Sequence, residues 1–525
     1  MIVFIKLYLI LSIITNKLAT AISPALILSP FINQNRTDEA RKLSAVEPSL
    51  FLNVTSYSGF LTVDATYNSN LFFWYFPVRD RPIKTTPWII WLQGGPGASS
   101  LAGLFDEIGP FDYNKELGLK IRESSWWHEY SMVFIDNPVG AGYSFTNSQD
   151  GFARNMAMYS NHLYKAVIQL VTLFPELQNA PLYLAGESYA GHYIPGFGIK
   201  TLEEMNKNKN GMFPYNLKGL IMGNPVLDRE SIANFTSVFY HWGLIDSQGV
   251  IAANPLQEQY TQAVEVGNSS AAVILRDQLL DKLQDITSQS QVYNILHNYG
   301  DLKGFMDYIM LENVRDALHV GTIKFTFSNG SVHTHLASDF LAKMSPTMNT
   351  LLEHCKVLIY CGQLDLTAPC VPAAEGRRQR WRWSGRESFL RAPRVPWWYN
   401  DSVAGYVKSG GGFTEALIRG AGHLAPIDKP EQVRQLVSYF IRGLDMPMPA
   451  NYEAEAEYTP GYTDLVKAKI ENDDNNFKTG MFISISINVI LVLIIVVLIV
   501  FVVRWKKRGE DYFYAPLSDG ILTMT

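Results

Sequence analysis

Compact apolar runs recur along the chain and predict the strands of a buried β-sheet. Five of them, most soon followed by Gly or Asp, span residues 88–92, 132–135, 182–184, 220–222 and 357–360. Short runs that are apolar on both faces are typical of parallel strands covered on each side. Two earlier runs, 60–63 and 71–78, are rich in aromatic and branched residues and predict an antiparallel pair.

Helical patterns fill the spaces between these runs. Apolar residues recur at helical spacing from Met156 to Phe174, and Pro175 ends the pattern. Alternating strands and helices predict an α/β fold with a mostly parallel, doubly wound central sheet. From about residue 228 to about residue 334 helical patterns dominate, for example at 271–283 and 291–296. We interpret this region as a helical cap inserted over the active-site face of the sheet.

The two ends of the chain carry targeting patterns. Residues 1–21 combine an early charge, an apolar run and closing small residues, and predict a cleaved secretory signal peptide. Residues 481–503 form an uncharged stretch of 23 residues, long enough to span a bilayer as a helix. A basic run follows at once, so the positive-inside rule predicts a single-pass type I membrane protein with a cytosolic tail, 504–525. Residues 22–448 would then be a large lumenal domain, and the polar segment 449–480 a stalk.

Six Asn-X-Ser/Thr sequons precede the predicted span and agree with a lumenal, glycosylated domain. They begin at Asn35, Asn53, Asn234, Asn268, Asn329 and Asn400. The cysteines, Cys355, Cys361 and Cys370, allow one disulfide at most, and the sequence leaves their pairing open. Their spacing does not match a zinc site, and we expect no metal or other cofactor.

The charge balance does not point to nucleic acid as a partner. The net charge is −5, and 18% of the residues are charged. Arginine and tryptophan are interspersed from residue 377 to residue 398, a pattern that can bind single strands. We favour packing of arginine on tryptophan there, because a lumenal domain seldom meets nucleic acid.

The main chemical pattern is Gly-Glu-Ser-Tyr-Ala-Gly at residues 186–191, directly after the apolar run 181–185. A strand, a sharp turn and small neighbours form a nucleophile elbow, because close packing at the turn tolerates only small residues two positions before and after the serine. Ser188 is therefore the candidate nucleophile. A serine hydroxyl is a poor nucleophile unless a positioned imidazole takes its proton.

Two later loops supply a candidate acid and base. Asp365 follows the apolar run 357–360, and His423 ends the small-residue sequence Gly-Ala-Gly-His at 420–423. The chain order Ser, Asp, His is that of the α/β-hydrolases. His423 would act first as general base and then as general acid, with Asp365 holding its tautomer and stabilising the imidazolium.

The Gly-Gly-Pro-Gly turn at 94–97 follows the strand predicted at 88–92. It is rich enough in glycine for backbone amides to approach a substrate. The amides of Gly95 and of Tyr189, the residue after the nucleophile, are the candidate donors to a tetrahedral oxyanion. An ordinary tight turn between strand and helix is the alternative interpretation.

Together with Asp-Asn-Pro-Val-Gly-Ala-Gly-Tyr-Ser at 136–144, these motifs resemble the serine carboxypeptidase family over residues 56–441. Gly-Gln-Leu-Asp at 362–365 resembles its vitellogenic-like branch, and a lumenal enzyme with a membrane anchor resembles, in layout only, the Golgi prohormone-processing carboxypeptidases. The resemblance implies an α/β-hydrolase fold and a serine-type carboxypeptidase that releases single C-terminal residues from peptides or proteins through an acyl-enzyme.

Three positions depart from the usual family pattern. They are Gln93 in place of Asn, Ala98 in place of Cys and Leu424 in place of Met. None of these changes removes a catalytic group.

In this family an amide and two acids recognise the terminal carboxylate of the substrate, and the resemblance assigns these roles to Gln93, Glu107 and Glu187. Carboxyl groups beside a bound carboxylate cannot all ionise, so the two acids should have raised pKa values and donate hydrogen bonds while neutral. We therefore expect activity to be strongest at acidic pH. The alternative role for Glu187 is that of a capping acid at the start of a helix.

Two other functions remain open from the sequence. Some plant relatives transfer the acyl group to a small alcohol, and a hydrolase fold can also serve as a non-enzymatic ectodomain that binds or stabilises a partner. The intact Ser, Asp and His set argues against the second.

The cytosolic tail contains a candidate binding motif for a sorting adaptor, from Tyr514 to Leu517. The expected location is therefore the secretory or endolysosomal system (Golgi, endosome or lysosome) or the cell surface.

Overall fold

The computed structural model describes residues 23–208, 213–227, 234–300, 302 and 304–448. The predicted signal peptide, stalk, membrane span and cytosolic tail lie outside these ranges, as does the segment from Tyr514 to Leu517. Among the described residues, no helix has both the length and the apolar character needed to cross a bilayer.

The strands of the described residues form one large sheet and one hairpin. They are β1 (Tyr57–Asp64), β2 (Ser69–Phe76), β3 (Trp88–Leu92), β4 (Phe111–Asn114), β5 (Gly118–Ile121), β6 (Ser131–Ile135), β7 (Pro181–Glu187), β8 (Asn216–Gly223), β9 (Lys356–Gly362), β10 (Arg394–Tyr399), β11 (Ser402–Gly410) and β12 (Phe413–Ile418). Ten strands form the sheet in the order β1-β2-β6-β3-β7-β8-β9-β12-β11-β10, and β4 pairs with β5. From β6 to β12 every neighbouring pair is parallel, and the pairs at the two edges are antiparallel.

Helices connect these strands and cover the sheet. The α-helices are Ser29–Asn33, Thr37–Leu43, Met156–Leu173, Ala190–Lys207, Phe235–His241, Ser247–Glu265, Ser269–Thr287, Phe305–Ile309, Glu312–Ala317, Gly330–His335, Ser345–Leu352, Cys370–Arg380, Arg386–Arg391, Ala425–Asp428 and Pro430–Arg442. Between β8 and β9 the described residues form helices and loops and contain no strand. The boundaries of a cap at about 228 and 334 stay a prediction.

Strand β3 shows why the sheet is covered on both faces. Successive side chains of a strand point to opposite faces. Ile90 and Leu92 pack in one apolar cluster, whereas Ile89 and Trp91 pack in a second cluster on the other side. All five residues of β3 are buried. A strand whose residues do not alternate between apolar and polar is therefore covered by an apolar cluster on each face.

The predicted antiparallel pair is β1–β2, and the five predicted parallel strands are β3, β6, β7, β8 and β9. The sequence analysis did not find β4, β5, β10, β11 or β12. β10 contains Pro396 and lies at the edge of the sheet, where a proline is tolerated. β12 contains Thr414 and Glu415. Neither strand therefore has the uninterrupted apolar run by which the others were recognised.

Residues 291–296 are not helical, and that prediction was wrong. The backbone of this segment bonds instead to two distant loops. Tyr293 O accepts a hydrogen bond from the amide of His423, and Ile295 N donates to Leu364 O. These partners satisfy backbone groups that a helix would otherwise use, and local spacing could not reveal them. The companion prediction, 271–283, lies within the helix Ser269–Thr287.

Asp136, directly after β6, ties the glycine turn to the sheet. Its buried carboxylate accepts hydrogen bonds from Ser99 Oγ (2.7 Å), the Ser100 amide (2.9 Å) and the Tyr143 amide (2.8 Å). Ser99 and Ser100 immediately follow the turn at 94–97, so this carboxylate fixes the turn that carries Gly95.

We expect Asp136→Ala to lower the free energy of unfolding by roughly 3 kcal/mol or more, because three buried donors lose their acceptor. Asp150→Ala is the matched control. Asp150 forms an exposed ion pair with Arg154, and its loss should cost less than about 1 kcal/mol. Denaturant unfolding of both variants measures the difference, and equal loss in the two would contradict the anchoring role.

Candidate active site

Ser188 lies in a tight turn between β7 and the helix Ala190–Lys207. Its φ is +58°, a left-handed conformation that is uncommon for a residue with a side chain. The turn is held by the Ser188 amide, which donates to Gly223 O at 3.0 Å. A side chain at Gly186 could not fit, because its Cβ would lie 2.2 Å from Leu92 O. The nucleophile elbow predicted from the sequence is therefore present in the backbone.

Asp365 and His423 meet at the neighbouring strand ends. His423 Nδ1 lies 2.7 Å from Asp365 Oδ2. Asp365 Oδ1 accepts from the amides of Thr367 (2.7 Å) and Ala368 (3.1 Å), which orients the carboxylate. With Nδ1–H donating to Asp365, the other ring nitrogen of His423, Nε2, is left to take a proton.

Ser188 and His423 line the same cavity, whose volume is about 600 Å³. In the described part of the chain no direct hydrogen bond joins their side chains. Such contacts are often long in an empty site and tighten when substrate binds. The imidazole is held in place by Tyr293, whose ring stacks on it with centroids 5.0 Å apart and planes 14° apart.

The two candidate oxyanion donors also lie together. A Cβ built on Gly94 would lie 2.6 Å from Tyr189 N, so the glycine turn passes directly beside the amide that follows the nucleophile. Gly95, the next residue of the turn, has a φ of +108°. Among the described residues, neither the Gly95 nor the Tyr189 amide donates to another group. Two amides placed in this way can bind the oxygen of a tetrahedral intermediate.

Gln93, Glu107 and Glu187 form a buried polar cluster beside the serine. Gln93 Nε2 donates to Glu187 Oε1 (2.6 Å) and to Glu107 Oε1 (3.2 Å). Gln93 Oε1 accepts from Trp91 Nε1 at 2.9 Å, which fixes the orientation of the amide. All three side chains line the cavity that contains Ser188.

The two acids of this cluster both have raised pKa values. Burial raises the pKa of Glu107, and hydrogen bonds from Glu187 and Gln93 only partly oppose that shift. Burial raises the pKa of Glu187 well above its usual range, and the charge of Glu107 raises it further. Two buried carboxylates cannot both ionise at low cost, so the acids stay neutral to a higher pH than exposed acids do. The pair can therefore donate a hydrogen bond to an anion.

The sequence analysis missed two residues that support the site. Asn224, directly after β8, donates from Nδ2 to Asp365 Oδ2 at 2.7 Å and accepts from the Gly362 amide at 3.1 Å. A polar residue at the end of a parallel strand was a usable signal, because Asp365 follows the next strand of the sheet. Asp339 Oδ2 accepts from Tyr189 Oη at 3.2 Å and from Tyr159 Oη at 3.0 Å. Its partners are 150 and 180 residues away, and nothing in the local sequence marks it.

The structure settles the disulfide that the sequence left open. Cys361, in β9, is bonded to Cys370, with Cα atoms 5.9 Å apart, and Cys355 is free. The bridge closes the short loop that contains Asp365. Among the described residues, no group of three or more His, Cys, Asp or Glu side chains could hold a metal ion.

The candidate glycosylation residues differ in exposure. Five of the six asparagines are exposed: Asn35, Asn53, Asn234, Asn268 and Asn400. Asn329 is half-buried, and its Nδ2 donates to Gly140 O at 2.8 Å. A glycan is attached through this nitrogen, so glycosylation of Asn329 would compete with a contact to the loop after β6.

Comparison with known proteins gives a consistent result. The family whose description is "Serine carboxypeptidase" matches residues 47–443. The chain is 36% identical over 428 residues to the venom serine carboxypeptidase of Apis mellifera, covering 79% of this chain and 90% of that protein. It is 35% identical over 429 residues to the vitellogenic carboxypeptidase of Aedes aegypti, covering 79% and 89%. It is also 36% identical over 435 residues to the probable serine carboxypeptidase CPVL of Homo sapiens, covering 80% and 90%.

Among solved structures, the fold is similar to that of Kex1(delta)p, described as a prohormone-processing carboxypeptidase from Saccharomyces cerevisiae. The TM-score is 0.69 at 23% sequence identity, over 79% of this chain and 98% of that chain. This likeness concerns the α/β-hydrolase fold with its large, mostly parallel sheet.

We expect Asn224→Ala to slow labelling of Ser188 by a fluorophosphonate probe by about tenfold to a hundredfold, because a small shift of the acid–imidazole pair is costly to catalysis. Asn216→Ala, at the start of the same strand, is the control and should label at the wild-type rate. Equal rates for all three proteins would show that Asn224 does not position Asp365.

Proposed function

The chain belongs to the serine carboxypeptidase family and is a serine carboxypeptidase; from this premise we propose that Ser188, His423 and Asp365 release single residues from the C-termini of peptides. The observation that carries the proposal is the buried cluster of Gln93, Glu107 and Glu187 in the cavity of the serine. An endopeptidase has no need of an acid pair with raised pKa values at this position. A carboxypeptidase does, because the free carboxylate of its substrate lies one residue from the bond that is cleaved.

In the first half of the proposed reaction Ser188 is acylated. Its Oγ attacks the carbonyl carbon of the last peptide bond while His423 Nε2 takes the hydroxyl proton. The carbonyl electrons move to oxygen, which accepts hydrogen bonds from the amides of Gly95 and Tyr189. The carbon–nitrogen bond then breaks, His423 returns the proton to the nitrogen, and the terminal amino acid leaves.

In the second half, water replaces the amine. His423 takes a proton from the water as its oxygen attacks the acyl carbon, and the proton then passes to Ser188 Oγ as the ester bond breaks. The shortened peptide leaves with a new C-terminal carboxylate. Asp365, 2.7 Å from Nδ1, stabilises the imidazolium in both halves.

The acid pair supports recognition of the terminal carboxylate. A neutral carboxyl group donates a hydrogen bond to that anion, whereas an ionised one repels it. Because the pKa values of Glu107 and Glu187 are raised, the pair keeps its protons at a pH where exposed carboxyl groups have lost theirs. Gln93 adds an amide donor whose orientation is fixed by Trp91.

We also propose that the catalytic domain is lumenal and anchored by residues 481–503. The support is the signal-like sequence at 1–21, the uncharged stretch itself and the basic run that follows it. The exposed sequon asparagines agree with a lumenal surface that carries glycans. In this arrangement Tyr514 lies in the cytosol, where a sorting adaptor could bind it.

The carboxylate-binding proposal predicts a pH profile. As pH rises from 5 to 8 the raised-pKa pair ionises, so kcat/KM for an N-blocked dipeptide with a free carboxylate should fall at least about tenfold relative to the same dipeptide with a C-terminal amide. The ratio cancels the pH dependence that arises from enzyme groups acting equally on both substrates. In the double variant Glu107→Gln, Glu187→Gln the ratio should no longer change with pH. An unchanged slope in that variant, or a ratio that rises with pH, would contradict the scheme.

The nucleophile proposal predicts that Ser188→Ala loses fluorophosphonate labelling and at least about a thousandfold in kcat, since the acyl-enzyme can no longer form. Ser247→Ala, at an exposed serine on another helix, should keep both. Product analysis should find the free terminal amino acid. A dominant ester product in the presence of a small alcohol would favour the acyltransferase alternative instead.

The sorting proposal predicts that Tyr514→Ala shifts the full-length protein towards the cell surface, whereas Tyr512→Ala does not. Surface biotinylation of transfected cells measures the fraction. An identical distribution of the two variants and the wild type would rule out this motif.

A further inference from the structure

The arginine-rich segment that the catalytic proposal does not use forms part of a second cavity. Between residues 377 and 394 the chain has seven arginines and one acid, Glu387, although the whole chain has a net charge of −5. The sequence analysis interpreted the segment as arginine packed on tryptophan. Arg377 does lie over the Trp381 ring at 6.0 Å. Arg377, Arg378 and Arg394 of this segment also line the second cavity.

The cavity lies beside β9, β11 and β12 and has a volume of about 280 Å³. Its lining includes Arg377, Arg378, Arg394 and Lys408, and its one acidic lining residue in the described part of the chain is Glu415. With all five groups ionised, the lining carries a net charge of +3. None of its lining residues also lines the catalytic cavity.

Glu415 fixes two of the arginines. Arg377 donates from Nε (3.1 Å) and Nη2 (3.0 Å) to Glu415 Oε1, and Arg378 donates from Nε (3.1 Å) and Nη2 (2.7 Å) to Glu415 Oε2. A single carboxylate thus holds two guanidinium groups side by side. Arg378 also has Glu375 at 3.8 Å, outside the cavity. Two of the four positive charges are therefore held in fixed positions by one buried carboxylate.

The other two cations approach from the strands. Lys408, in β11, is buried and donates from Nζ to the carbonyl oxygens of Leu390 and Ala392. Burial, together with the nearby charge of Arg378 and against the opposing effect of Glu415, lowers the pKa of Lys408 to about 8. The Arg394 guanidinium lies 4.4 Å from the centre of the Tyr406 ring. Cations so close together destabilise one another, and an anion between them would offset that cost.

We propose that this cavity binds a tetrahedral oxyanion, that is, a phosphate or sulfate group, either free or carried on a sugar. Arginine presents N–H donors in a planar fork that suits such oxygens, and neighbouring arginines can contact one group together. The volume is at the lower limit for ligand sites, which fits one anionic group rather than a nucleotide. Cys361 and Cys370 also line the cavity. A bound anion would therefore lie against the disulfide that closes the Asp365 loop.

The test measures binding of radiolabelled inorganic phosphate to the full-length protein in detergent by equilibrium dialysis, with ionic strength kept constant with sodium chloride. Arg394→Gln is the probe, because Arg394 is exposed and its loss should leave the fold intact. We expect it to weaken phosphate binding by at least about tenfold. Arg391→Gln is the matched control, since Arg391 is exposed and lies outside the cavity. It should change binding by less than about twofold.

Three competitors identify the source of the group: inorganic sulfate, glucose 6-phosphate and a sulfated heparin disaccharide. Competition by the inorganic ion alone identifies a free anion, and stronger competition by a sugar ester identifies a carbohydrate ligand; either result supports the site. Peptidase activity of both variants confirms that they are folded. Absence of saturable phosphate binding to the wild type, or equal losses in Arg394→Gln and Arg391→Gln, would overturn the proposal.

Discussion

The parallel register of five adjacent strands, β3, β7, β8, β9 and β12, is the constraint on which the rest of this structure depends. Backbone hydrogen bonds align the carboxyl ends of these strands, pairing Leu92 with Gly186, Gly223 with Tyr360 and Ile418 with Gly362. Each strand is followed within a few residues by a group of the proposed site. In the order of the strands, these groups are Gln93, Ser188, Asn224, Asp365 and His423. Backbone pairing therefore brings residues that are far apart in the chain to one edge of the sheet, as is general for ligand sites in α/β sheets.

The acids in this cavity region have different bonding partners. Asp365 accepts hydrogen bonds from two backbone amides and from the Asn224 side chain, and it lies 2.7 Å from the His423 imidazole. Glu107 and Glu187 both bond to the Gln93 amide, and burial raises the pKa of each. One end of the sheet thus holds a carboxylate bonded to the imidazole and, separately, an acid pair with raised pKa values. In the proposed function the first carboxylate supports activation of the serine hydroxyl, and the acid pair binds the carboxylate of the substrate.

The part of the sheet beyond β9 differs from the centre in the residues that it buries. There the strands carry charged residues inside the fold, with Glu415 and Lys408 both buried. These residues are compatible with a core because their charged groups are hydrogen-bonded. Glu415 accepts from two arginines, and Lys408 donates to backbone carbonyl oxygens. The disulfide between Cys361 and Cys370 joins this region to the loop of Asp365. The basic cavity and the catalytic cavity are therefore separate pockets on one continuous sheet.

The sequence alone determined the central strands, the nucleophile elbow and the chain order of serine, acid and histidine, because each is written in local spacing: an apolar run, then a small-residue turn with one reactive group. It did not determine β10 to β12, whose polar and proline positions match no local template, nor the irregular backbone of 291–296. The sequence alone also did not reveal the contacts of Asn224 and Asp339, or which two of the three cysteines are bonded. These depend on which distant groups come within about 3 Å of each other, and only the packed sheet decides that, because hydrogen bonds act over contact distance while sequence records only neighbours along the chain.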